Sequence, residues 1–431
     1  MLNDRYSVND SGHLCLGGVD TVNLANEWGT PLYVFDEEDI RNNCREYVNA
    51  FKEYYSGEFA VLYASKAFSC KEMYRLVGEE GLGADVVSAG ELYTAAAAGF
   101  DLSKIYFHGN NKTANELSFA LDSGIGRIVV DNISELYLLD SIAKEKHLIA
   151  KVLFRIKPGI DAHTHSFIKT GQIDSKFGFA LENGEAKEAV SIAQTLSNIS
   201  LVGIHCHIGS QIFQTEPFVE AADVMMTFAK KIYDEHKLEI SEINFGGGYG
   251  IKYLKTDRPV VTEESIKFLC QRVTENAKKL GMKLPKIIVE PGRSIVGSST
   301  LTLYKVGSIK EIKDVRTYVS VDGGMSDNPR YALYNADYEI VVANHADKPR
   351  DCKITLAGKC CESGDIIQEN TMLQKCEVGD TVAVLATGAY NYSMSSNYNR
   401  IPRPAAVMLK NKKSRLIIRR ESFEDIIKND I

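Results

Sequence analysis

Lys66 closes a short apolar run, Tyr63-Ala64-Ser65-Lys66-Ala67. An amine held at such a place loses hydration, its pKa falls, and the neutral form condenses with a carbonyl to give an imine. Taken alone, the residue is equally well read as a surface lysine. Gly246-Gly247-Gly248 follows Ile243-Asn244-Phe245, and backbone without side chains lets N–H groups approach an anion closely. Glu290-Pro291-Gly292-Arg293-Ser294 adds a carboxylate, a guanidinium and further amide donors. His205 and His207 stand two apart in an apolar run, so in a strand both face one way. Together with His163 and His165 they define a competing chemistry, that of a metal-dependent barrel hydrolase. Against it, the only acid near either pair in ligand spacing is Asp161, and Ile208-Gly209-Ser210 reads more readily as an anion-binding turn.

These groups share one position in the chain pattern. Short β-rich runs at 60–65, 84–88, 105–108, 127–131, 152–156, 201–208, 242–245 and 287–290 alternate with longer helical stretches. Helical periodicity is clear at 186–196, 217–233 and 263–280. Eight such units predict a (β/α)8 TIM-type barrel, whose active sites lie at the C-terminal ends of the strands. Those ends read Lys66, Ser88, His108-Gly109-Asn110, Asp131-Asn132, Arg155, His205 and His207, the glycine triplet, and Glu290 to Arg293. Any one of them is an ordinary loop residue on its own; all eight ends polar together is harder to explain that way. No strand carries the G-x-G-x-x-G turn of a dinucleotide fold. After residue 295 the pattern changes to strand-like runs at 301–306, 317–321, 338–342, 353–356, 381–386 and 416–418. The expected division is a barrel over 38–295 and a β domain over 296–431 that also takes in residues 1–37, including the strand-like 31–35.

The 431 residues carry a formal net charge of −7, which argues against a nucleic-acid surface. No apolar run approaches the length of a membrane span, and the first residues lack a signal-peptide pattern. Nine cysteines, an odd number without zinc-site spacing, suit a reducing cytoplasm.

Several longer motifs resemble those of the diaminopimelate decarboxylases, within the alanine-racemase-like fold type of pyridoxal-phosphate enzymes. They are Phe107-His108-Gly109-Asn110-Asn111-Lys112, Asp161-Ala162-His163-Thr164-His165, Asp174-Ser175-Lys176-Phe177-Gly178, His205-Cys206-His207-Ile208-Gly209-Ser210-Gln211, Glu290-Pro291-Gly292-Arg293, Asp322-Gly323-Gly324-Met325-Ser326-Asp327 and Cys361-Glu362-Ser363-Gly364-Asp365. The match runs from Gly29-Thr30-Pro31 to Pro402-Arg403-Pro404.

The resemblance implies pyridoxal 5'-phosphate as cofactor, with Lys66 as the Schiff-base lysine and His207 stacked on the pyridine ring. It implies Ser210, Gly246, Gly247, Gly248, Gly292 and Arg293 around the phosphate, Pro291 as a further cofactor contact, and Glu290 on the pyridine nitrogen. A protonated nitrogen makes the ring an electron sink. Arg293, Arg330, Tyr334 and Glu362 match substrate-binding positions, and Tyr390 matches a tyrosine touching cofactor and substrate. Cys361 and Glu362 match residues contributed across a homodimer interface, with Cys361 as the catalytic proton donor. Tyr331 stands where the family usually has proline, and Asn391 where glycine is common. The activity implied is decarboxylation of meso-2,6-diaminopimelate to L-lysine, the last step of lysine biosynthesis, in the cytoplasm and without a metal. The distal carboxylate of that substrate requires a cation, which Arg330 or Arg293 supplies. The alternatives are a relative acting on ornithine, arginine, carboxynorspermidine or a D-amino acid, a non-catalytic pyridoxal-phosphate carrier, or the metal hydrolase.

Overall fold

The computed structural model describes residues 2–160 and 175–431. Asp161, His163, His165 and Asp174 lie outside the described residues. The chain divides into two compact units, Asn43–Gly250 with Pro259–Ser294, and Met1–Asn42 with Ile251–Arg258 and Ile295–Ile431.

The first unit is a closed parallel barrel. Its strands are β1 (Phe59–Ala64), β2 (Gly83–Val86), β3 (Ile105–Phe107), β4 (Arg127–Val130), β5 (Ala150–Lys157), β6 (Ile199–Cys206), β7 (Glu242–Asn244) and β8 (Lys286–Val289). Each pairs in parallel with the next, β4 joins β5, and β8 returns to β1, so no barrel edge is left open. The eight expected runs are these eight strands. They are short and almost wholly buried, as strands covered on both faces must be. Leu62, Tyr106, Val129, Leu153 and Ile288 pack together as a buried cluster. At the N-terminal ends, Arg127 ion-pairs with Glu242 at 2.5 Å and Tyr106 Oη donates to the same carboxylate at 3.0 Å. That buried acid is satisfied where barrels keep stability rather than chemistry.

The helices between strands start where the sequence offers caps. Ser88 Oγ accepts from Glu91 N–H and Asn132 Oδ1 from Glu135 N–H. Two of the polar strand ends are therefore helix caps, the ordinary role for such residues.

The second unit is a mixed sheet. Its strand order is Ile366–Leu373, Cys352–Ala357, Arg316–Val321, Thr300–Ile312, Leu32–Asp36, Ala405–Lys410 and Lys413–Ile418, and Thr381–Leu385 joins both Thr300–Ile312 and Ile340–Val342. Leu32–Asp36 pairs antiparallel with Thr300–Ile312 and parallel with Ala405–Lys410, which places the N-terminal strand in the β unit. A separate three-stranded sheet of Tyr6–Val8, Leu14–Leu16 and Val19–Asp20 has no counterpart among the expected runs, nor do two strands of the mixed sheet. Ile366–Leu373 carries Gln-Glu-Asn in its middle, and Ala405–Lys410 follows two prolines and opens on two alanines. Segment Ile251–Arg258 groups with this unit although the sequence pattern ran the barrel straight through it.

Candidate active site

The barrel unit gathers its polar groups at the C-terminal strand ends. Lys66 sits in a short turn, Ser65–Ala67, directly after β1 and is exposed. Its charge pulls the pKa of His207 down and partly offsets the rise that burial and Glu290 impose on Asp85. His207 follows β6 and is half-buried; loss of hydration, then the charges of Lys66 and Arg155, hold its imidazole well below the usual value and therefore neutral. A neutral, flat ring is the state suited to stacking.

Glu290 directly follows β8 and is 6% exposed. Asn244, the last residue of β7, donates to Oε1 at 2.6 Å. His108 Nε2 lies 2.7 Å from Oε1 and His205 Nε2 3.4 Å from Oε2. Burial pushes this carboxyl up, but the two histidines outweigh it and hold the group well below the usual range, ionised. Asp85, buried in β2, goes the other way: burial and then the charge of Glu290 raise it well above the usual range. Two buried carboxyls thus divide the labour, one charged and one neutral. Oε1 carries the strong contacts, and Oε2 is the freer oxygen for a further donor.

The loops after β6, β7 and β8 are packed backbone to backbone. Glu290 N–H donates to Gly246 O at 2.8 Å, and Pro291 O accepts from Ala64 N–H at 3.1 Å. A Cβ on Gly247 would lie 2.1 Å from Glu290 O, and one on Gly248 2.5 Å from Gly209 O. Gly246 and Gly248 hold φ of +68° and +106°, where other residues are strained. Among the described residues, the N–H groups of Gly247, Gly248 and Gly292 meet no protein acceptor. Arg293 Nη2 donates to Ser210 Oγ at 2.9 Å. Free amides, a serine and a guanidinium form the donor set of an anion site, which fits the phosphate of pyridoxal phosphate.

Other groups here had no assigned role in the sequence reading. Lys112, 6% exposed, donates to Glu135 at 2.6 Å, to Gly109 O at 2.7 Å and to Val129 O at 2.8 Å, and so ties down the loop that carries His108. Arg155 lies 4.1 Å above the Phe177 ring. An acid or amide inside a fully buried strand, as Asp85 and Asn244 are, was the signal available for two of them.

In the β unit, Arg330 begins a helical turn, Arg330–Tyr334, so Arg330 and the half-buried Tyr334 do stand one turn apart, and Tyr331 in place of proline does not prevent that turn. Arg330 is 7% exposed. Tyr390 holds φ at +67°, a strained conformation for a tyrosine. Cys361 and Glu362 are exposed in the turn before Asp365, and Cys361 N–H donates to Asn399 Oδ1 at 2.7 Å.

The chain matches the pyridoxal-binding domain of the pyridoxal-dependent decarboxylases over residues 37–297. It is 51% identical to a diaminopimelate decarboxylase of Bacillus methanolicus over 414 residues, 96% of each chain. The Bacillus subtilis diaminopimelate decarboxylase is 49% identical, with 98% of this chain and 96% of that one covered. The chain belongs to the diaminopimelate decarboxylase family. Among solved structures, a diaminopimelate decarboxylase from M. jannaschii in co-complex with L-lysine superposes with a TM-score of 0.92 at 39% identity, covering 100% of this chain and 99% of that one. The cofactor of this family is pyridoxal phosphate. Membership sets aside the metal hydrolase, although ligating atoms of His108, His205 and Glu290 do lie within 4.8 Å of one another. Among the described residues no helix is long and apolar enough to cross a membrane.

Proposed function

We propose that this protein decarboxylates meso-2,6-diaminopimelate to L-lysine and CO2, as a homodimer in the cytoplasm. Bound pyridoxal phosphate supplies an electron sink for the electron pair left when the carboxylate departs. Lys66 anchors the cofactor covalently and later releases the product. His207 covers one face of the ring. Gly246, Gly247, Gly248, Ser210, Gly292 and Arg293 hold the phosphate, Pro291 is a further cofactor contact, and Glu290 keeps the pyridine nitrogen protonated. The ionised state of Glu290 supports that role, because a neutral acid there would leave the ring a weaker sink.

The observation that carries the substrate is the state of Arg330. Its guanidinium is buried, yet no carboxylate lies within ion-pair distance among the described residues. A buried cation without an anion is costly unless a ligand provides one. Ornithine, arginine and lysine carry no carboxylate at the far end of the chain; diaminopimelate does. Tyr334 and Tyr390 join Arg330 as substrate residues. Cys361 and Glu362, exposed on this chain, serve the active site of a second copy: Glu362 receives the distal ammonium, and Cys361 protonates the carbon that loses CO2.

Reductive trapping tests the anchor. Borohydride treatment of the yellow holoenzyme, followed by peptide mapping, is expected to place the reduced cofactor on Lys66. Attachment at another lysine, or none, would refute the assignment.

A further inference from the structure

Arg330 lies in a corner built from two tyrosines. Its guanidinium carbon is 4.6 Å from the Tyr253 ring centroid and 5.5 Å from that of Tyr338, and the two rings meet edge-on at 83°. Arg330 Nη1 donates to Tyr338 Oη at 2.8 Å. A guanidinium has five N–H donors, and this is the one that meets a protein acceptor among the described residues. The rest are available to a ligand.

The tyrosine is itself held. Asn391 Nδ2 donates to Tyr338 Oη at 3.0 Å and to Thr387 O at 3.2 Å, and the phenol proton turns back toward Asn391 Oδ1 at 3.4 Å. Asn391 and Tyr338 are 0% and 2% exposed. The Tyr338 backbone N–H donates to Gln368 Oε1 at 2.9 Å, and Gln368 Nε2 to Asp337 at 2.6 Å. Asn391 therefore draws the phenol proton away, so the oxygen presents lone pairs to Arg330. A carboxylate in that place would aim the arginine equally well, but it would neutralise it and compete with an anionic ligand. A phenol aims it and leaves the charge intact.

We propose that Tyr338 and Asn391 are positioning residues that fix the Arg330 guanidinium for the carboxylate at the far end of the substrate. They thereby set the preference for a diamine that bears that carboxylate over one that lacks it. This rests on the reading of Arg330 given above.

The test uses holoenzyme variants Y338F, N391G and R330M. Y338F keeps the ring and its face toward Arg330 but removes the acceptor. It is expected to raise KM for meso-diaminopimelate about tenfold, the effect of one hydrogen bond to a charged group, with kcat within about twofold. N391G is expected to raise KM by about threefold. Inhibition by L-lysine, which retains the distal carboxylate, should weaken in parallel, while inhibition by 1,5-diaminopentane, which has none, should not change. Unchanged KM in Y338F, a fall in kcat alone, or equal weakening of both inhibitors would overturn the proposal. R330M separates the two layers. If it leaves KM unchanged, the substrate reading of Arg330 is wrong. If it raises KM and Y338F does not, only the positioning role is wrong.

Discussion

Glu290→Gln isolates the charge proposed to hold the cofactor nitrogen protonated. The substitution keeps volume and shape, and its amide oxygen can still accept from Asn244 Nδ2, the 2.6 Å bond that fixes Oε1. The amide nitrogen must then take the place of Oε2, so a donor replaces an acceptor where the pyridine N–H is to be received. A hydrogen bond to a charged group contributes about 1.5–3 kcal/mol. At about 1.36 kcal/mol per tenfold in rate, kcat should fall roughly 10- to 150-fold. KM should hardly move, because the interaction strengthens as charge develops on the ring rather than on substrate binding. The same change removes the anion that raises Asp85. The assay is steady-state CO2 release by fully reconstituted enzyme, with the visible spectrum recorded to confirm cofactor loading. A kcat within threefold of wild type, at full loading, would show that Glu290 does not govern the ring.

Three further outcomes are expected. Lys112→Met removes a cation whose three donors are all engaged and leaves Glu135 buried and unpaired, so unfolding in urea should show a loss of about 3–5 kcal/mol, largely restored by also replacing Glu135 with leucine; a loss under about 1 kcal/mol contradicts this. Asp327 is pushed by burial up to about 7, despite bonds from Tyr304 and Gly324. The folded state thus holds this proton more tightly than the unfolded chain, and stability falls as pH rises from about 4 to about 7. Asp327→Asn should remove up to about 4 kcal/mol of that slope in denaturation curves. Gly247→Ala places a Cβ 2.1 Å from Glu290 O, forces the loops after β7 and β8 apart, and should weaken pyridoxal phosphate binding at least about tenfold by titration of the apoenzyme.

The barrel was legible because its period is simple: each strand is a short buried run and each run ends in a polar group. The placement of Leu32–Asp36 in the β unit was legible for a related reason, since the barrel already had its eight strands. Strands with polar centres, such as Ile366–Leu373, were not, because register shifts against Cys352–Ala357 interrupt the two-residue period and leave Gln368 buried and Met372 exposed. Within the site, Lys66, the glycine triplet and Glu290 stood out only because each follows a barrel strand, and their proposed roles came from the resemblance. The network around Glu290 did not. His108, Asn244 and His205 stand at the ends of three different strands, and only closure of the barrel brings them to one carboxylate. Tyr253 and Tyr338 also lie far apart in sequence, and nothing local marks them as walls for Arg330. The roles of Cys361 and Glu362 came from resemblance alone.

The central claim is tested most directly by CO2 release from meso-diaminopimelate, ornithine, arginine and lysine under identical conditions with the purified holoenzyme. Rapid turnover of diaminopimelate with stoichiometric L-lysine, and little or none of the other three, is predicted. Faster turnover of ornithine, or no release from diaminopimelate by cofactor-loaded protein, would contradict it.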